Sequence, residues 1–405
     1  MDNPQSAAKN LSIKLLETES SNQVLKIFEE DYIKSGMKDV YPQELCLLLH
    51  FTVKHMGDVT NDIRMTTLLD MLFVRYEFLL MFRFENLEFE ISAATIWSLG
   101  VLVAYRGAEF PTENKHKIIK SLKGAVVSPQ SISTIPSLIF SISCMLQPQE
   151  VDDEILSVMR ELSQLYIDDG LMLIEPLPVS SLLMGWSRVQ YHNENFLHQL
   201  SEAMQRPRFF FATQTQDVCN IIYSLADLHF SDDKLMASLH EVIMERSEEL
   251  QPINLFLVIQ AYARLVPKSR NFYLDLVPKL IEVIEKEPEN LTAMFYEKQW
   301  LCLAVFKGNS SDQYTNRVAK ELMKLMNRQD KFSYSDLSGT DASNILIAIT
   351  SLKISKVKFV SNIVSVAEHH LKSMSNFDLI NMVKSSHYLR SMPEFQSCYT
   401  RVHSE

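Results

Sequence analysis

Apolar residues recur along this chain at steps of three and four, broken by short polar turns, which is the pattern of amphipathic helices joined into hairpins. The stretch from Cys219 to Leu239 shows the unit. Ile222, Tyr223, Leu225, Ala226 and Leu228 form the packed face of one helix, Ser231, Asp232 and Asp233 form a turn, and Leu235, Leu239, Val242 and Ile243 open the face of the next helix. With Ala226 as the reference, small residues stand at Thr52, Gly100, Ser143, Ser187, Ala263, Ala304, Thr350 and Ser386. Four residues before each comes an apolar residue: Leu48, Ile96, Ile139, Leu183, Ile222, Ile259, Trp300, Leu346 and Met382. The intervals along the column are 48, 43, 44, 39, 37, 41, 46 and 36 residues, the length class of stacked helical hairpins. The expected fold class is all-α: an α-solenoid of about nine stacked helical hairpins with repeats of about 36–48 residues. The small column is expected where the two helices of a hairpin cross at roughly 8–10 Å and leave little room for a side chain.

The pattern predicts helices over Leu11 to Gly36, Pro42 to His55, Ile63 to Phe84, Ile91 to Tyr105, His116 to Lys123, Ile132 to Met145 and Val151 to Ile167, the last stopped at Gly170. Pro176 and Pro178 mark the widest break. Hairpins then follow over Val179 to Gln205, Asp217 to Leu250 and Pro252 to Glu287, and a helix continues from Leu291 to Phe306. An irregular connection is expected over Lys331 to Thr340, followed by helices over Asp341 to Leu352, Lys358 to Met374 and Phe377 to Leu389. The expected organisation is a single array over 1–405, with capping helices at 1–40, acidic repeats at 41–300 and basic repeats at 301–405.

Composition supports helices and excludes several classes. Of 405 residues, 46% are hydrophobic, enough for a large core, and 9 Gly with 14 Pro are too few turn residues for an all-β or Gly-loop nucleotide fold. No apolar run reaches the roughly 18–20 residues of a membrane span. Residues 1–20 carry Asp2, Glu17 and Glu19 and no Arg, unlike a secretory signal or an Arg-rich transit peptide. The net charge of −11 is uneven. Residues 301–405 hold 13 Lys and Arg against 9 Asp and Glu, while residues 1–300 hold 26 against 41. An acidic body with a basic last quarter speaks about partners rather than fold.

The chain offers no catalytic motif: no Gly-rich phosphate loop, no HExxH and no GxSxG. Acidic pairs such as Asp152-Asp153 and Asp232-Asp233 sit where helix ends need them. Cys46, Cys144, Cys219, Cys302 and Cys398 are scattered and read as reduced, buried thiols. Cys46 with His50, or the His369-His370 pair, lacks a third nearby ligand, so no metal and no cofactor are expected. The clearest feature is a basic stripe. Arg317, Lys320, Lys324, Arg328 and Lys331 share one helix face, opposite Val318, Leu322, Leu325 and Met326, and Lys353, Lys356 and Lys358 follow in the next repeat. Arg317, Lys320, Lys324, Arg328, Lys353, Lys356 and Lys358 are the expected phosphate-tracking, RNA-binding residues, set against the ordinary use of such a stripe as a solvated face. Two smaller basic clusters are Lys115, His116, Lys117, Lys120 and Lys123, and Arg264, Lys268 and Arg270 beside Tyr262, Phe272 and Tyr273.

Asn220 to Leu235, with Ser181 to Phe196, Thr95 to Gly100 and Asn344 to Leu352, resembles the octotricopeptide and heptatricopeptide class of helical repeats, which includes the repeat region of FAST-kinase-like and RAP-domain proteins. The resemblance runs from about Tyr41 to Leu389. It implies an organellar, mitochondrial RNA-associated protein acting in transcript processing, stability or translation, or as a part of the mitochondrial ribosome. The chain departs from the class in its acidic balance and in showing no RAP-type module after Leu389. The expectation is therefore a non-catalytic subunit held by protein partners in a larger complex, with RNA touching part of it. A purely protein-binding scaffold of the HEAT or armadillo type is the alternative.

Overall fold

Proline opens helices here rather than breaking them. In a computed structural model the described residues are 10–11, 13–18, 20–30, 42–54, 89–106, 109–170, 174–211, 213–265, 271–272, 275–276, 278–280, 282, 293–307, 313–327 and 333–390. Among them α2 (Pro42–Lys54), α7 (Pro176–Arg188), α9 (Pro207–Phe211) and α12 (Pro252–Arg264) each begin on proline, whose missing N–H and fixed φ suit a first turn. The expected break at Pro176 and Pro178 is thus the start of a helix. Elsewhere side chains cap the first turn. Asn193 accepts from the Phe196 N–H, Asp232 accepts from those of Lys234 and Leu235, and Ser338 with Asp341 and Ser375 with Asp378 form capping boxes.

The fold is all-α, with no strand among the described residues. Two compact units divide the chain, Met1–Thr213 and Gln214–Glu405. The first contains α1 (Ser21–Phe28), α2, α3 (Phe89–Arg106), α4 (Thr112–Lys120), α5 (Ile135–Met145), α6 (Asp153–Gly170), α7, α8 (Glu194–Met204) and α9. The second contains α10 (Thr215–Asp227), α11 (Asp233–Glu245), α12, α13 (Ala293–Lys307), α14 (Gln313–Met326), α15 (Gly339–Leu352), α16 (Val357–His370) and α17 (Asn376–Leu389). Several expected boundaries shift. Gly170 lies inside α6 rather than beyond its end, and the first element is interrupted near Thr18, whose N–H and hydroxyl both bond the Leu15 carbonyl. The expected helix over 63–84 lies outside the described residues.

In the first unit α2, α3, α5 and α7 pack side by side in chain order, while α4, α6 and α8 form a second row. In the second unit α10, α12, α13, α15 and α17 pack successively, and α11, α14 and α16 lie against α10, α13 and α15. The core runs between the rows. Trp186 of α7, 2% exposed, donates its indole N–H to Ser163 of α6 at 3.1 Å and packs on Tyr191 and Phe196.

The tightest approaches differ from the expected hairpin crossing. A Cβ added at Gly100 of α3 would lie 2.7 Å from the Ser141 Cβ and 2.8 Å from its Cα and O on α5. A Cβ at Gly185 of α7 would lie 2.9–3.1 Å from Ile139 of α5. At Gly100 and Gly185 small residues therefore let successive first helices touch, whereas at Gly339 of α15 a Cβ would lie 2.9 Å from His370 of α16, within one hairpin. The column also marks helix ends. At Ser187, Ala226 and Thr350 the carbonyl accepts the N–H of the residue three positions on, at 3.0, 3.0 and 3.1 Å. Those later residues, Gln190, His229 and Lys353, have φ of 53°, 54° and 53°. The next residues, Tyr191, Phe230 and Ile354, bond back to Trp186, Leu225 and Ile349 at 3.3, 2.9 and 3.1 Å. Three first helices thus end in the same two-bond left-handed cap, with its apolar clasp, at the same register.

Candidate nucleic-acid interface

The basic stripe begins on α14. Its buried face carries Val318, Leu322 and Met326, all 0% exposed, and its other face exposes Lys320 and Lys324. Lys324 is held by Glu321 one turn away at 3.1 Å, and Lys320 has no ion pair among the described residues. The backbone of Arg317 lies on α14, while Arg328 and Lys331 lie outside the described residues.

The second group sits at the corner between α15 and α16. Lys353 is the left-handed cap of α15, Lys356 is the N-cap residue of α16, and Lys358 lies in its first turn. All three are exposed and have no ion pair among the described residues. No acidic residue occupies the first turn of α16, so the lysines add to the positive end of the helix dipole instead of offsetting it. That arrangement costs stability locally and favours an anion.

Trp300 joins the two groups. Its indole N–H donates to the Met326 sulfur at the end of α14 at 3.3 Å, and its ring lies 5.4 Å from that of Phe359 in the first turn of α16. Trp300 is 0% exposed. Tyr334 bridges the same ends, with its hydroxyl donating to Asn327 at 3.4 Å and also meeting Asn362 of α16. The C-terminus of α14 and the N-terminus of α16 are therefore neighbours, and Lys324 and Lys358 belong to one end of the unit.

In the other two basic clusters Lys115, His116, Lys117, Lys120 and Arg264 are spent internally. Lys115 reaches both oxygens of Glu150 at 3.2 and 3.0 Å, with Thr112 bonding the same carboxylate. His116 contacts the Glu150 carbonyl at 2.7 Å and Asp152 at 3.3 Å. Lys120 pairs with Asp152 at 3.1 Å and Glu154 at 2.5 Å, and Lys117 pairs with Glu113 at 2.7 Å. Burial works against ionised Glu150, but Thr112, the Gln147 N–H and Lys115 outweigh it and hold the carboxyl at about 2. This cluster clamps α4 to the start of α6 and is no open basic surface. Arg264 likewise pairs with Asp227 at 2.5 Å and lies 4.8 Å over the Tyr223 ring, fastening α12 to α10, while Lys268 and Arg270 lie outside the described residues. Apart from Lys117 with Glu113, one helical turn apart, sequence spacing could not show these pairings, because the acidic partners stand 30 or more residues away.

Elsewhere the chemistry is quiet. Cys46, Cys144, Cys219 and Cys302 are buried and free. Burial pushes the Cys46 thiol up to about 11 and those of Cys219 and Cys302 to about 12, so all three are protonated at neutral pH. No group of three or more His, Cys, Asp and Glu among the described residues is placed to hold a metal ion. His240 joins Tyr262 at 2.8 Å and Asp275 at 3.2 Å in an order that suggests a proton relay. The Tyr262 side chain is 0% exposed, however, and its hydroxyl cannot meet a substrate. Among the described residues no helix is long and apolar enough to cross a membrane. No protein-family model and no curated protein sequence matches this chain.

Proposed function

We propose that this chain is a non-catalytic α-solenoid scaffold that associates with RNA, through the α14 end and the α15–α16 corner, as a subunit of a larger complex in mitochondrial gene expression. The side-by-side packing of successive first helices, and the same helix cap in three hairpins, support a repeat array. The RNA reading is carried by one observation: Lys320, Lys353, Lys356 and Lys358 are exposed without ion pairs among the described residues, whereas the Lys115–Lys120 cluster is neutralised by carboxylates. In a chain of net charge −11, lysines kept clear of acids at a helix N-terminus suit phosphate. The mitochondrial setting rests on the repeat resemblance of the sequence.

The test is RNA binding across a salt series, with K353E/K356E/K358E against the parent chain. Each lost phosphate contact on a single strand flattens the log–log salt slope by roughly 0.7, so the triple variant should flatten it by about 2. Ultraviolet crosslinks on the native complex should fall near the same corner. Unchanged affinity and slope, or a native complex free of RNA, would move the reading to the purely protein-binding scaffold.

A further inference from the structure

A cleft of about 290 Å³ opens in the first unit between α2, α3 and the turn before α5. Its walls include His50, Glu90, Ala94, Trp97, Ser131 and Leu138. Glu90, Ala94 and Trp97 follow one another at steps of four and three, on a stripe of α3 that neighbours leave partly uncovered, whereas Ser92, Thr95 and Ile96 between them are buried. The same uncovered stripe continues across the first row through Ser137 and Phe140 of α5 and Ser181 and Met184 of α7. It carries no charge until Arg188, which lies at the last turn of α7 and rests 6.0 Å over the Phe140 ring.

Glu90 is the charged group of the cleft. Its Oε1 accepts from the Ser131 hydroxyl at 2.7 Å and from the Ser128 hydroxyl at 3.0 Å. These bonds, that of Ser131 above all, hold the carboxyl below the usual range, so it is ionised at neutral pH. The hydroxyls and the N-terminus of α3 orient the carboxylate, but no cationic side chain among the described residues reaches it. Trp97 is half-buried, with the His50 ring at 5.1 Å against it. Along the helix Glu90 and Trp97 are separated by about 10 Å, with Ala94 between them. An extended arginine or lysine side chain spans that length, its stem lying on alanine and indole and its cation reaching the carboxylate. A phosphate is disfavoured, because among the described residues lining the cleft the fixed charge is the negative one of Glu90.

We propose that this cleft is a docking site for a partner protein, which inserts an arginine or lysine side chain against Glu90 along the Trp97 ring. The apolar stripe beyond it receives the residues flanking that side chain. The site uses no residue of the second unit and stands whether or not the lysine corner binds RNA.

The test uses the full chain labelled with 15N at its tryptophan indoles, W97F to assign the Trp97 signal, and two capped tripeptides, Leu-Arg-Leu and Leu-citrulline-Leu. Citrulline keeps the shape of arginine and removes its charge. The arginine peptide should shift the Trp97 signal saturably, and the citrulline peptide should bind roughly five-fold or more weakly. E90Q, which can still accept the serine hydroxyls, should bring the arginine peptide to the citrulline level, while K353E/K356E/K358E leaves it unchanged. A Trp97 signal that does not move with the arginine peptide, equal affinity for both peptides on the parent chain, or discrimination retained in E90Q overturns the proposal.

Discussion

Three non-glycine residues hold left-handed backbone at the ends of α7, α10 and α15, and glycine at any of them should stabilise the chain. Gln190, His229 and Lys353 are all exposed and make no side-chain hydrogen bond or ion pair among the described residues, so a substitution there breaks no such bond. Left-handed φ costs a residue with a Cβ roughly 1–2 kcal/mol. Glycine escapes that cost but loses about 0.5–1 kcal/mol more backbone entropy on folding. Q190G, H229G and K353G should each therefore gain about 0.5–1 kcal/mol. Alanine, which keeps the Cβ, should gain nothing, and valine should lose stability. Since the chain divides into two compact units, a local readout reports on each cap more directly than global denaturation. The sharper assay is native-state hydrogen exchange at the amides of Tyr191, Phe230 and Ile354, which make the long bond of each cap. Protection should rise about two- to five-fold with glycine and stay flat with alanine. If glycine and alanine behave alike at all three positions, the left-handed caps are not populated and the shared register of the hairpin ends falls with them. Lys353 carries a second readout: under the RNA reading K353G stabilises its hairpin and still flattens the salt slope by roughly 0.7, while H229G stabilises without touching it.

Three further outcomes follow from the first unit. G100A gains up to about 1 kcal/mol of helix propensity but drives a Cβ to within 2.7–2.8 Å of Ser141 backbone and side-chain atoms, so the net should be a loss of about 1–3 kcal/mol, read as a lower melting temperature. G124A, at a φ of 68° with nothing within 4 Å, should cost only about 1 kcal/mol for the left-handed backbone. Glu150 is ordinarily near 4.5 and is lowered to about 2 in the fold. Because the folded value is depressed, its stabilisation is complete above about pH 4.5 and is lost as pH falls toward 2. It amounts to on the order of 1–2 kcal/mol after allowance for solvent screening. E150Q should remove that part of the acid dependence in pH-resolved denaturation, and an unchanged acid limb would refute the clamp.

Much of the helical layout was legible because burial and periodicity are local. The residue four positions before each small one, such as Leu48, Ile96, Ile139 and Ile222, is buried, with exposure of 0% or, at Met382, 1%. The small column itself was legible, but its physical meaning was not. A pattern of Gly, Ala, Ser and Thr says that something approaches closely, and only the packing of α3 on α5 at Gly100 and Ser141 says that it is the next first helix. The helix caps were hidden for a different reason. A left-handed cap is announced in sequence by glycine, and here Gln190, His229 and Lys353 fill the position, so the signal was absent even though the geometry is regular.

Charge was the least legible property, because a lysine looks the same in sequence whether it is paired or not. The Lys115 cluster and the Lys353 corner are both dense and basic, yet among the described residues only the former meets carboxylates, most of them from the turn leading into α6 and its first turn. The reverse holds for Glu90, one acid among 50 Asp and Glu in an acidic chain, which becomes singular only when the packing of α3 leaves it at a tryptophan-walled cleft without a cation. What distinguishes a binding surface in such a protein is thus not the abundance of a charge. It is the failure of the fold to neutralise it, seen among the described residues at one place in each unit. Lysines are left over at the α15–α16 corner and a carboxylate is left over beside Trp97. If both proposals hold, the chain would take a nucleic acid and a basic protein segment on separate residues, without competition between them.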